Sequence, residues 1–206
     1  MSTLKLLNIH LKSLSPLIMH SDRLCNPMHP LTKKMKEISK IRDKKDEHYQ
    51  ALARIEFEGA AYFNEELGIY MPSKCLGGCF KAAAKKFKLG RATKAITIDC
   101  PIGTPLIGYE KHTIDSLWNK ISKNGEQEHV FAETVVVARA RIIRTRPIFP
   151  KWEVKFNLYL NSEILSLAQL KTIIETAGFE FGLCELRPEK ASGTYGRFTL
   201  EGIKEI

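Results

Sequence analysis

The chain has 206 residues, with 32 Lys or Arg against 23 Asp or Glu, a formal charge of +9. Its 44% hydrophobic and 27% charged residues lie near the globular average, which excludes a disordered or fibrous chain and points to one domain, with or without an insertion. The longest apolar stretches, such as Val135-Val136-Val137-Ala138, fall far short of the roughly 18 residues a membrane span needs.

Residues 4 to 12 alternate, with Leu7, Ile9 and Leu11 on one side and Asn8, His10 and Lys12 on the other, which predicts a half-buried strand. Ser13 to Asp22 come next, then a loop with Pro27 and Pro30 as breakers. From Leu31 to Phe63 lysines and arginines interleave with acids and glycine is absent until Gly59, the pattern of one or two solvated helices. A short strand, Ile69-Tyr70-Met71, leads into a helix with Leu76, Phe80, Ala83 and Phe87 at helical spacing, Ser73 as its expected cap and Gly90 as its expected end. Ile96 to Ile107, with Pro101, Gly103 and Pro105, reads as an edge strand or part of a loop or hairpin that projects between Ile96 and Phe131.

Phe131 to Phe149 reads as an extended segment, with a bulge or twist at Ile142-Ile143 where the parity of its arginines shifts. Trp152, Val154, Phe156, Leu158 and Leu160 alternate with polar residues in a clear strand. A helix follows, with a Ser166/Gln169 capping box, an apolar stripe at Leu167, Leu170, Ile174 and Ala177, and Gly178 as terminator. A glycine-spaced loop, Gly182 to Gly196, precedes a last strand from Arg197. Strand, helix and strand at both ends predict an α+β fold, an RRM-like or ferredoxin-like antiparallel sheet with helices on one face.

Five cysteines, Cys25, Cys75, Cys79, Cys100 and Cys184, form no C-x-x-C pair and no zinc-ligand set, so reduced thiols, no metal and no cofactor are expected. The first residues lack the pattern of a secretory signal, and the expected location is cytoplasmic, with no membrane partner. The phosphate-loop, dinucleotide, serine-elbow and zinc-protease motifs are missing from the sequence.

The positive charge is clustered. Lys81, Lys85, Lys86, Lys88, Arg91 and Lys94 occur without an intervening acid, and so do Arg139, Arg141, Arg144, Arg146 and Lys151. Acid-free runs on two elements suit a groove that follows a phosphate backbone, where guanidinium pairs with phosphate in bidentate fashion. Tyr159 and Tyr195 are candidates to stack on bases. Gly77-Gly78 inside a helical pattern costs about 1 kcal/mol per glycine relative to alanine. It marks either a close approach to the backbone from outside or close packing of the helix on a sheet.

Three segments resemble the RAMP superfamily of CRISPR-associated RNA-binding proteins, in particular the backbone subunits that polymerise along guide RNA. Leu11-Lys12-Ser13-Leu14-Ser15-Pro16-Leu17-Ile18-Met19-His20-Ser21 is similar to the family's first strand and loop. Ile69-Tyr70-Met71-Pro72-Ser73-Lys74-Cys75-Leu76-Gly77-Gly78-Cys79-Phe80-Lys81 is similar to its strand-to-helix motif. Gly182 to Pro188 and Tyr195-Gly196-Arg197-Phe198 are similar to its C-terminal glycine loop and final strand. Gly77 stands where the family has lysine, Lys81 replaces its arginine, and residues 31–63 have no counterpart, departures that suit a divergent or phage-borne relative as well as a standard subunit.

The resemblance implies a non-catalytic module that binds single-stranded RNA and assembles with copies of itself or other effector subunits. The implied contacts are Ser15, His20, Ser21 and Arg23 in the first loop, and Ser73, Lys74, Gly77, Gly78 and Lys81 at the helix start. Arg139, Arg141, Arg144 and Arg146 on the arginine segment, and Tyr195 and Arg197 near the end, complete the set. Two alternatives stand beside it: an endoribonuclease that uses His20 or Asp22, and a viral structural or interaction protein with a basic partner-binding face.

Overall fold

Apolar alternation and helix-compatible spacing set the order of elements in the computed structural model, which describes residues 3–137, 140–190 and 193–206. The strands are β1 (Leu4–Ser13), β2 (Leu17–Ile18), β3 (Phe63–Asn64), β4 (Gly68–Pro72), β5 (Ile96–Ile98), β6 (Gly103–Pro105), β7 (Val130–Val137), β8 (Ala140–Phe149), β9 (Glu153–Asn161) and β10 (Phe198–Glu205). The helices are α1 (Pro30–Ser39), α2 (Asp46–Ala60), α3 (Ser73–Lys86), α4 (Ile114–Trp118) and α5 (Leu167–Thr176). The fold is mixed α+β with antiparallel sheets. Its contacts divide into two compact units, one of residues 1–17, 64–111 and 150–206, the other of residues 18–63 and 112–149. The expected helices between Leu31 and Phe63 thus share a unit with the arginine segment, and the expected projection between Ile96 and Phe131 is divided: β5 and β6 belong to the first unit, α4 to the second.

In the first unit the sheet order is β10-β1-β9-β5. Each neighbouring pair is antiparallel, with Ile9 opposite Phe156 and Ile203, and Thr97 opposite Tyr159. The period-2 pattern places Leu7, Ile9 and Leu11 of β1 and Val154, Phe156, Leu158 and Leu160 of β9 in the core. Leu76, Phe80 and Ala83 of α3 and Leu170, Ile173 and Ile174 of α5 are buried with them, and the Phe80 and Phe156 rings lie 6.4 Å apart. The other face of the sheet is polar, with Asn8 Nδ2 donating to Asn157 Oδ1 at 2.9 Å and His10 Nε2 2.8 Å from Glu153 Oε2.

Helix ends differ from expectation in three places. Pro72, not Ser73, is the cap residue of α3, and the helix stops at Phe87 before Lys88, whose φ of 61° makes the reversal assigned to Gly90. The α5 capping box forms as expected, with Ser166 Oγ accepting from Gln169 N and Gln169 Oε1 from Ser166 N. Gly178 is not a terminator, because a single π-type turn, Ala177–Phe181, continues the helix. A Cβ at Gly178 would lie 2.0 Å from the Phe198 carbonyl oxygen, so glycine is required there by contact with β10.

The second unit is built on α1, α2, α4 and the β7–β8 ribbon. Phe131 to Phe149 is two antiparallel strands rather than one extended segment, and the pairing runs from Val130↔Pro147 to Val137↔Ala140 without a shift, so the expected bulge at Ile142-Ile143 is absent. The arginine parity instead reflects two faces of a ribbon. Phe57 of α2 packs edge-on against Trp118 of α4 at 5.1 Å, and Arg54 stacks over both rings while pairing with Asp115. Among the described residues no helix is long and apolar enough to cross a membrane.

Candidate nucleic-acid interface

The lysines of α3 fall into register because the helix repeats every 3.6 residues. Lys74, Gly78, Lys81 and Lys85 stand at i, i+4, i+7 and i+11 and are all exposed. They form one stripe of cations interrupted by a bare stretch of backbone. Nothing lies within 4 Å of where a Gly78 Cβ would be, and a Gly77 Cβ would meet only Ile98 Cδ1, at 3.9 Å, an ordinary contact. Close packing of helix on sheet therefore does not account for the paired glycines, although they weaken the helix by about 2 kcal/mol together relative to alanine. Gly77 points away from the stripe and lines a cavity of about 310 Å³ with Ser73, Phe80, Ile96, Thr97 and Ile98.

The same unit spends other expected contacts on its own structure. Ser73 N–H donates to the Ile102 carbonyl and its hydroxyl to the Cys100 carbonyl, so this part of the helix start is occupied. Ser15 Oγ accepts from Arg197 N at 2.9 Å, Leu14 N and Ser15 N both donate to the Arg197 carbonyl, and the Ser15 carbonyl accepts from Trp152 Nε1. Ser15 thus ties the first loop to the start of β10. Gly196, at φ 70°, donates to the Pro16 carbonyl and sits so close to Leu183 that a Cβ would lie 2.0 Å from its oxygen. Tyr195 is half-buried with its N–H on the Leu186 carbonyl. The Arg197 guanidinium lies 5.0 Å over the Phe179 ring, which is 60% exposed, and its Nε is buried without a hydrogen-bond partner. Sequence spacing gave no sign of this cation–π pair.

Three thiols meet behind α3. Cys79 is buried, donates towards the Gly182 and Ala177 carbonyls, and burial pushes its pKa up to about 12. The Cys184 thiol is held well above its ordinary value, first by its hydrogen bond to Cys75 and then by burial. Such protonated thiols are inert packing groups. Among the described residues no group of three or more His, Cys, Asp or Glu is placed to hold a metal ion.

In the second unit Ser21 is buried and caps the short 3-10 turn Asp22–Cys25 by accepting from Arg23 N, while Arg23 Nη2 donates to the Phe63 carbonyl. His20 and Asp22 are exposed, and the His20 carbonyl accepts from Tyr62 Oη. On β8, Arg144 pairs with Glu56 of α2, whose second oxygen accepts from Thr145 N at 2.9 Å. Arg146 is half-buried on the same face as Arg144, and Arg141 is exposed on the other. Arg139 lies outside the described residues. No protein-family model matches the chain, and no curated protein matches it.

Proposed function

We propose that the protein is a non-catalytic module that binds single-stranded RNA, with α3 as the element along which the phosphates run. The observation that carries this reading is the stripe Lys74, Gly78, Lys81 and Lys85, in which a destabilising glycine has no partner inside the protein and opens the helix backbone between cations. Lysines neutralise phosphates and release counterions, while the missing side chain lets a strand approach the helix closely. The arrangement β1-α3-β5 and β9-α5-β10, with strand order β10-β1-β9-β5, supports the ferredoxin-like assignment, a fold class that hosts many single-strand binders. The RAMP resemblance of the α3 motif extends the proposal to a guide-RNA-binding subunit in a CRISPR-type ribonucleoprotein that assembles side by side with its own copies or other subunits.

The test is Gly78→Ala. A methyl group in open space on a helix raises stability by about 1 kcal/mol, and it occupies the proposed path of the strand. The expected outcome is a higher melting temperature together with weaker anisotropy binding of a single-stranded RNA at low salt. Undiminished RNA binding by the stabilised variant removes α3 as the contact, and no binding by the unmodified protein removes the proposal.

A further inference from the structure

A cavity adjoins the lysine stripe of α3. It measures about 310 Å³ and lies between α3 and the edge strand β5. That size is at the lower end for small-molecule sites, with room for one flat ring system rather than an extended cofactor. It is lined by the apolar residues Phe80, Ile96 and Ile98, by Gly77, and by the polar residues Ser73, Thr93 and Thr97. No acidic residue lines it.

Position on the helix connects this cavity with the stripe. Gly77 and Ser73 line the cavity, and each is followed directly by a residue of the stripe, Gly78 and Lys74, turned about 100° around the axis. A chain whose phosphates follow the lysines therefore carries its next chemical group past the mouth of an apolar slot. In a nucleic acid that group is a base, a planar ring with apolar faces and a polar edge. We infer that the slot between α3 and β5 receives a single nucleobase of the bound strand, against the apolar side chains of Ile96 and Ile98 and beside the polar residues Ser73 and Thr93. This rests on the single-strand reading above and adds to it a base-binding subsite. Gly77 and Gly78 then have separate tasks, one admitting a base and the other a phosphate.

The experiment compares a uridine oligomer with an abasic ribose-phosphate oligomer of equal length, on the unmodified protein and on Gly77→Leu, which fills the slot from the helix side. The expected result is a preference of about tenfold for the base-bearing oligomer in the unmodified protein. That preference falls to about twofold in Gly77→Leu. Thermal unfolding checks the variant. If Gly77→Leu does not fold, Gly77→Ala, whose added methyl makes only an ordinary contact with Ile98, must show a smaller loss of the same preference. A preference that survives the filled slot, or its absence from the unmodified protein, overturns the subsite and leaves phosphate binding intact. Failure of both oligomers to bind overturns the single-strand reading itself.

Discussion

A methyl group at Gly178 would collide with the Phe198 carbonyl oxygen at 2.0 Å, and one at Gly78 would meet nothing within 4 Å. The two glycines therefore respond oppositely to alanine. Gly178→Ala forces apart the turn after α5 and the start of β10 and is expected to destabilise the protein by about 1–3 kcal/mol in urea unfolding. Titration adds a second residue-scale expectation. His129 is fully buried, and burial lowers its pKa below 6.5, partly offset by its hydrogen bond to the Ile148 carbonyl. Below pH 6.5 the unfolded chain takes up a proton that the folded one does not, so this contribution to stability is present above that pH and is lost on acidification. Cys79 works in the other direction: its folded pKa of about 12 lies above the ordinary 9.0, so its contribution is complete below pH 9 and declines between pH 9 and 12. Unfolding free energies measured from pH 5 to 10 should fall at both ends, and His129→Gln should flatten the acid limb.

Among the elements, α5 and β9 were readable because each repeats a single period and, in α5, carries its own start signal. Removing that signal with Ser166→Ala leaves Gln169 N without its acceptor and is expected to cost about 1 kcal/mol, measured by thermal unfolding. The β7–β8 ribbon was not readable. Between Val137 and Ala140 the sequence is Ala138-Arg139, without the Asn-Gly or Asp-Gly that marks a hairpin, so two strands looked like one. The role of Arg144 was hidden for another reason: its partner Glu56 is 88 positions away on α2, and no local pattern reports such a pair. Glu56→Ala should destabilise the protein by about 1–3 kcal/mol, since it strips a partner from both the guanidinium and Thr145 N–H. At the candidate interface, lysine register and paired glycines were legible along α3. The use of Ser15 and Ser73 within the fold was not, because a hydroxyl's partner is decided by tertiary contact.

For the whole molecule, a charge of +9 makes association with any polyanion salt-sensitive, and the proposal specifies how much of that sensitivity belongs to α3. Three lysines on three phosphates of a single strand contribute about −2 to the slope of log K against log salt, at about 0.7 per phosphate. The triple change Lys74→Gln, Lys81→Gln and Lys85→Gln should reduce the measured slope by that amount, and an unchanged slope would assign the contacts elsewhere. The outer position of β10 in its sheet has a different consequence. An outermost strand offers a row of backbone donors and acceptors to any extended chain that drifts near, which invites runaway stacking into fibrils. Here Glu201, Lys204 and Glu205 are exposed along that strand, with Lys5 held to Glu205 at 2.8 Å. Their mixed charges discourage an incoming strand, so a concentrated solution should stay clear at this border, whereas valine at 201 and 204 would turn it into a sticky rail.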